Sequence, residues 1–330
     1  MSYLLKPLQA GSLTLSNRLV MPPMATAKSD PDGKVNQSVL NYYAEKSEGG
    51  YLSLIIIEHS FIQLDGKASD LQLSVSEDSV LEGLRKLAEV IHRNGSKTMM
   101  QINHAGSNTT LEITGTTPVA PSAVPHPRRG SMPNELTREQ IANIINSFQA
   151  AARRTKEAGF DGVEIHSAHG YLLNQFFSPL TNKRTDEYGG NVQNRIRLHL
   201  QIIEAIRAAV GDDFPILLRL GASDYKEGGI TIDDSQIAAQ EFEKAGVNIL
   251  DISGGFTGYT VPDLGGQGYF ASLSGAIKKV VSIPVILTGG ITDVQAAEQL
   301  LAEEKADLIG VGRAILNNSK WAEQALNSLR

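Results

Sequence analysis

The sequence predicts an α/β protein, a TIM (β/α)8 barrel with an N-terminal β-hairpin and long βα loops. Eight short apolar segments alternate with eight helical ones along the 330 residues. The apolar segments are hydrophobic throughout, as parallel strands covered on both faces are. The last two end in glycines directly before a helical stretch, where this barrel commonly holds phosphate. A doubly wound open sheet is the competing fold. It requires a G-x-G-x-x-G turn after the first strand, and there the chain reads Pro22-Pro23-Met24.

The elements follow in order. Residues 3–17 form a hairpin around Ala10-Gly11-Ser12, and Leu19-Val20-Met21 is the first strand. Proline cannot donate to a ladder, so the strand stops at Pro22. A helix is expected over 36–48, a strand over Leu52–Glu58 and an amphipathic helix over Glu77–Arg93. Lys97–His104 is the third strand, and residues 105–135 are polar and proline-spotted. Such length without regular structure usually marks a lid or binding loop. Thr137, with Gln140 three residues on, opens a helix by a capping box, and Gly159 closes it. A strand over 162–166 and a loop over 170–190 come next. Helices are then expected over 192–209, 233–245, 271–281, 293–304 and 318–329. The strands between them begin at Pro215, Asn248, Pro284 and Asp307. No linker or change of composition interrupts the series, so residues 1–330 read as one domain.

Composition narrows the function. Hydrophobic residues make up 41% and charged residues 20%, ordinary for a globular protein, and net charge is −6. That balance argues against nucleic acid and anionic membrane as partners. The absence of cysteine removes disulfides, thiolate nucleophiles and iron–sulfur ligation together. The N-terminus lacks the apolar core of a signal peptide and no run reaches membrane-spanning length, so a cytoplasmic location is expected. A homo-oligomer is compatible with these features.

Candidate chemistry collects at the strand ends, where barrel active sites lie. Strand one ends in Pro23, Met24 and Ala25, strand two in Glu58 and His59, and strand three offers Gln101 and His104. The richest end is Gly162–Tyr171, which delivers His166, His169 and Tyr171 within six residues. A strand has period two, so both histidines can face one place only if the strand has already broken into a loop. Gly170 permits that break. Arg219 lies mid-strand in an apolar run, where an unpaired guanidinium is costly. It requires a partner, either an acid such as Glu164 or an anionic ligand. Gly289 and Gly290, with Gly312 and Arg313, suit a phosphate. No metal is expected, because strand one has no histidine and no carboxylate cluster completes a site.

These residues resemble the Old Yellow Enzyme family of FMN-dependent oxidoreductases, especially its bacterial NADH:flavin oxidoreductase branch. The resemblance spans about Leu5 to Arg330. It is most specific in His166-Ser167-Ala168-His169-Gly170-Tyr171-Leu172, Ser178–Asn182, Arg184–Gly190 and Asn194-Arg195. It implies bound FMN, with NADH or NADPH as donor, and an enone- or nitroalkene-type substrate. His166 and His169 would hold the substrate oxygen and Tyr171 would protonate the alkene carbon. Pro23, Met24, Ala25 and His59 would line the flavin, Gln101 and Arg219 would meet its ring, and Gly289, Gly290, Gly312 and Arg313 its phosphate. Negative charge on the reduced flavin would answer Arg219.

Three departures from the family pattern stand out. Ala25 occupies a position where relatives carry a flavin-tuning Cys or Thr, with Thr26 one residue later. His104-Ala105-Gly106 is followed by Ser107 instead of Arg. The iron–sulfur and second nucleotide modules of longer relatives are not seen, so electrons are expected directly from a reduced nicotinamide or another donor. The loops around Ala27-Lys28, Ser107-Asn108 and Tyr269-Phe270 would shape the substrate pocket. Two other readings stay open: a flavin-free phosphate-binding lyase or isomerase, for whose strand-end lysine or carboxylate Glu58 is the one clear candidate, and a flavoprotein with only NAD(P)H oxidase or diaphorase activity.

Overall fold

The strands that carry the candidate residues close on one another. The computed structural model describes residues 2–330. In chain order the barrel strands are β1 (Leu19–Met21), β2 (Leu54–Phe61), β3 (Lys97–Asn103), β4 (Gly162–Ser167), β5 (Ile216–Gly221), β6 (Ile249–Ser253), β7 (Val285–Thr288) and β8 (Leu308–Gly310). Every neighbouring pair is parallel, and β8 returns to β1. The main helices are α1 (Gln37–Ser47), α2 (Leu81–Arg93), α3 (Arg138–Glu157), α4 (Arg197–Val210), α5 (Ile232–Lys244), α6 (Ala271–Lys278), α7 (Val294–Ala302) and α8 (Trp321–Asn327). The expected TIM barrel is the observed fold.

Two apolar clusters hold it. The larger lies between strands and helices and includes Ile55, Ile57, Leu84, Ile91, Phe148 and Ile203. The smaller fills the lower barrel interior with Val20, Leu54, Ile56, Met99, Leu217, Ile249, Ile286 and Leu308. The hairpin of Leu8–Ala10 and Leu13–Leu15 plugs that end, because Ala10, Leu13 and Leu15 join the same cluster. Two residues further up most strands the inward positions turn polar: Gln101, Arg219, Asp251 and Thr288, with Glu164 on β4. This change of layer sets the floor of the site.

Local signals acted as expected at α3, where Thr137 and Gln140 form a reciprocal capping box. Elsewhere tertiary contacts moved the boundaries. Strand β2 continues past Glu58 to Phe61, because Ser60 and Phe61 pair with Ile102 and Asn103 after a register shift. The helix expected over 192–209 is interrupted at Ile196 into Val192–Arg195 and α4. The loop over 170–190 contains a buried helix, Leu172–Phe177. An unforeseen short helix, Arg313–Asn317, precedes α8. The lid over 105–135 is partly built, with a turn of helix at Leu111–Thr114 and a two-stranded pair of Val119–Ala120 with Asn134–Glu135.

The motif residues after β4 brace this region. Arg184 grips Asp186 through two nitrogens at 3.0 and 2.6 Å and donates to the carbonyls of Pro121 and Leu136. It thereby ties the post-β4 loop to the base of the lid. Arg195 donates to the carbonyls of Phe177 and Gly190.

Candidate active site

The end of β4 leaves the sheet by a strained route. His169 has φ 60° and Gly170 φ 75°, two successive left-handed residues. A bulky non-glycine residue there is unusual and persists only when its surroundings enforce it. Here the His169 N–H donates to the Gly254 carbonyl at 3.3 Å. The Gly170 N–H donates to Asn174 Oδ1 at 2.7 Å, and Gln175 Nε2 donates to the Gly170 carbonyl at 2.8 Å. The break swings both imidazoles and the phenol to one side. The His166 ring centroid lies 5.2 Å from that of His169 and 5.0 Å from that of Tyr171. His59 stands 5.2 Å from Tyr171.

These rings form one end of a cavity of about 370 Å³ at the barrel mouth, within the usual range for small-molecule sites. Its walls include the thirteen residues that the family resemblance assigned to substrate and flavin: Pro23, Met24, Ala25, His59, Gln101, His166, His169, Tyr171, Arg219, Gly289, Gly290, Gly312 and Arg313. Gly290 is a position where glycine is required: its φ is 69°, and a Cβ would lie 2.8 Å from the Tyr269 ring. Ser253, Tyr259, Tyr269, Thr288 and Leu316 also line it.

The floor corrects one expectation. Arg219 finds its acid in Asp251, one strand along, with Nε 3.2 Å from Oδ2. Strand register explains the choice, since Arg219 pairs with His166 on one side and Asp251 on the other. Glu164 is instead taken by Gln101, whose Nε2 donates to Oε2 at 2.6 Å. The Arg219–Asp251 contact is close but not aligned as a hydrogen bond, and His166 Nδ1 and Thr288 Oγ1 are also buried without partners. Unsatisfied polar atoms thus gather at this mouth. Asp251 was missed in the sequence, although it shares the inward parity of Arg219 on the neighbouring strand.

Two other strand-end residues turn away. His104 accepts from the Gly106 N–H through Nδ1 at 3.0 Å and lies outside the cavity. Glu58 accepts from the Thr26 N–H at 2.7 Å and from the Thr26 hydroxyl at 2.6 Å. The β2 register shift sends Glu58 outward and leaves His59 on the cavity wall. Glu58 therefore occupies the Thr26 hydroxyl, and only Ala25 faces the site at that point. Neither residue is placed to serve the lyase reading.

Burial controls the electrostatics. It pushes His166 well below its usual pKa, and any positive charge on the neighbouring His169, Arg219 or His59 acts in the same direction. His169 is lowered well too, by burial and then Arg219. His59 is lowered to about 4 by the same two causes. All three are neutral imidazoles at pH 7, each with one N–H to offer. Ser253 Oγ lies 2.7 Å from His169 Nε2, a hydrogen bond in which either atom can be the donor. Burial raises the Tyr171 phenol, keeping it protonated. Glu164 is raised to about 8, first by burial and then by Asp251. Among the described residues no cluster of three or more metal-ligating side chains exists, and no helix is long and apolar enough to cross a membrane.

Residues 3–330 match the family model of the NADH:flavin oxidoreductase / NADH oxidase family. The chain belongs to that family. Its members are FMN-dependent oxidoreductases of the Old Yellow Enzyme type. An NADH oxidase of Thermoanaerobacter brockii is 44% identical over 323 residues, covering 96% of this chain and 49% of the relative. An NADPH dehydrogenase of Clostridium acetobutylicum is 39% identical over 307 residues, covering 93% and 89%. The chain thus spans about half the length of the first relative and most of the second. A 2-naphthoyl-CoA reductase complex with 2-naphthoyl-CoA superposes with a TM-score of 0.94 at 28% identity, covering 99% of this chain and 52% of that one. The old yellow enzyme homologue of Zymomonas mobilis gives 0.86 at 27%, covering 99% and 93%. FMN is the family's cofactor. The cavity suits such a group: a polar floor with unsatisfied atoms at one end, glycines and Arg313 at the other.

Proposed function

We propose that the chain uses NADH or NADPH to reduce activated C=C bonds of α,β-unsaturated carbonyl or nitro compounds. The carrying observation is the convergence of His166, His169 and Tyr171 at one end of a cavity whose other end holds Gly290, Gly312 and Arg313. FMN, when bound in this cavity, would supply a hydride. Pro23, Met24, Ala25 and His59 would flank its ring, Gln101 and Arg219 would face its polar edge, and Gly289, Gly290, Gly312 and Arg313 its phosphate.

The remaining chemistry belongs to side chains. Two neutral imidazole N–H groups hold the substrate oxygen and stabilise charge that develops there, as an oxyanion hole does. Protonated Tyr171 delivers a proton to the α-carbon, a step that positioned acids accelerate by about 10²–10⁴-fold. Neutral histidines suit this role, since cations beside Arg219 would raise the cost of the buried site.

The experiment is a pair of half-reactions on flavin-loaded protein. Tyr171→Phe is expected to slow reoxidation by cyclohex-2-enone by about 10²-fold or more, leaving flavin reduction by NAD(P)H within a few-fold. Equal losses in both halves would remove Tyr171 from the acid role. The name NADH oxidase on a 44% identical relative favours a second reading, electron transfer to oxygen alone. NADH consumption under air with no anaerobic reduction of any enone would select it.

A further inference from the structure

The lid places two arginines at the rim of the cavity, and the reaction above does not use them. The loop carrying them is anchored just before they emerge. His126 is buried, lies 5.5 Å from the Phe256 ring centroid at 35°, and sits so close to Gly170 that a Cβ there would meet its Nε2 at 2.7 Å. Arg129 and Gly130 N–H groups both donate back to the His126 carbonyl, turning the chain outward.

Arg128 then reaches across to the loop after β6. Its Nη2 donates to the carbonyls of Phe256 at 3.4 Å and Thr257 at 3.1 Å. These precede Tyr259, which lines the cavity 5.9 Å from the His169 ring. Arg129 Nε donates to Asn108 Oδ1 at 3.3 Å. Both guanidiniums are exposed, and among the described residues their partners are neutral oxygens rather than carboxylates. Their positive charge reaches the site: both act on Tyr171, Arg128 on His169, and Lys226 joins them around His126. In a chain of net charge −6, a rim of uncompensated cations is a local exception with a preferred sign of ligand.

We propose that Arg128 and Arg129 form a phosphate-reading site at the rim, holding the diphosphate tail of a ligand whose reacting end lies between His169 and Tyr171. The placement of that reacting end rests on the reductase reading; the phosphate site does not. Guanidinium forks match phosphate oxygens, and carbonyl contacts that fix one nitrogen leave the others free to donate. Two ligands share this chemistry, a reduced nicotinamide dinucleotide and an acyl-coenzyme A thioester, since each carries an adenosine diphosphate.

The test uses flavin-loaded protein and the Arg128→Gln/Arg129→Gln double variant, with Arg128→Lys/Arg129→Lys as a charge-preserving control. Calorimetric binding of ADP is expected to weaken at least tenfold in the glutamine variant and less in the lysine variant. Rising salt is expected to erase the difference. Reduction by NADH and NADPH, and reoxidation of dithionite-reduced enzyme by a 2-enoyl-CoA or by cyclohex-2-enone, then separate the sources. The arm losing most identifies the ligand, and its loss is expected to exceed that with phosphate-free cyclohex-2-enone at least fivefold. ADP affinity changed less than twofold, or equal losses with cyclohex-2-enone, would overturn the proposal. Salt-sensitive ADP binding that depends on the pair in a protein reducing no enone would retain this site while removing the reductase reading.

Discussion

One barrel contains two interiors. The lower layer is wholly apolar and sealed by the hairpin, from Val20 and Leu54 through Met99 and Leu217 to Leu308. One strand repeat higher, the same strands present Gln101, Glu164, Arg219, Asp251 and Thr288. The lower layer is close-packed and stabilises by removing apolar surface from water. The upper one buries Arg219 beside Asp251, an attraction set against a large desolvation cost, and a Glu164 carboxyl whose pKa burial and Asp251 push up to about 8. Such a ring is poor value for stability alone. Its position beneath the cavity indicates that this part of the fold is arranged for binding and the part below it for folding.

The sharpest way to break that division is Leu217→Ala. Leu217 is fully buried in the lower layer, so truncation should cost about 2–5 kcal/mol in denaturant unfolding. Flavin binding and its spectrum should stay as in the parent. A shifted flavin spectrum would mean the layers are not independent.

A smaller effect is expected from Glu164→Gln, read as stability against pH. Burial and Asp251 raise the Glu164 pKa to about 8 from an ordinary 4.5. Between those values the folded protein holds a proton that the unfolded chain has released. Stability from this group is therefore complete below about pH 4.5 and lost as pH rises towards 8, by at most about 1.4 kcal/mol per pH unit. Glutamine should flatten that slope. The histidines work oppositely: His59, lowered to about 4, subtracts stability as pH falls from about 6.5, and that acid limb should persist in the variant. The smallest effect should come from Met99→Leu in the lower layer, below about 1.5 kcal/mol because volume is conserved. A larger loss would show that layer to be as exacting as the one above.

Much of this was legible without coordinates because its signals are local or periodic. The capping box at Thr137 and the proline stop at Pro22 need only neighbouring residues. The histidines and tyrosine of residues 166–171 sit within one short run, and the thirteen residues assigned to substrate and flavin line one cavity. The misses have a common cause. Asp251 as the partner of Arg219 depends on register between β5 and β6. Glu58 turning outward depends on a register shift between β2 and β3. His104 looked equivalent to His59 because both end a strand.

The sequence by itself determined the barrel and the identity of the groups at its mouth, since hydrophobic period and strand-end chemistry are written along the chain. The tertiary structure decided which of those groups touch. It paired Arg219 with Asp251, withdrew Thr26 behind Glu58, and brought Arg128 from the lid to the carbonyls beside Tyr259. Pairing across a closed barrel depends on register and loop path, and neither is set by residues adjacent in sequence.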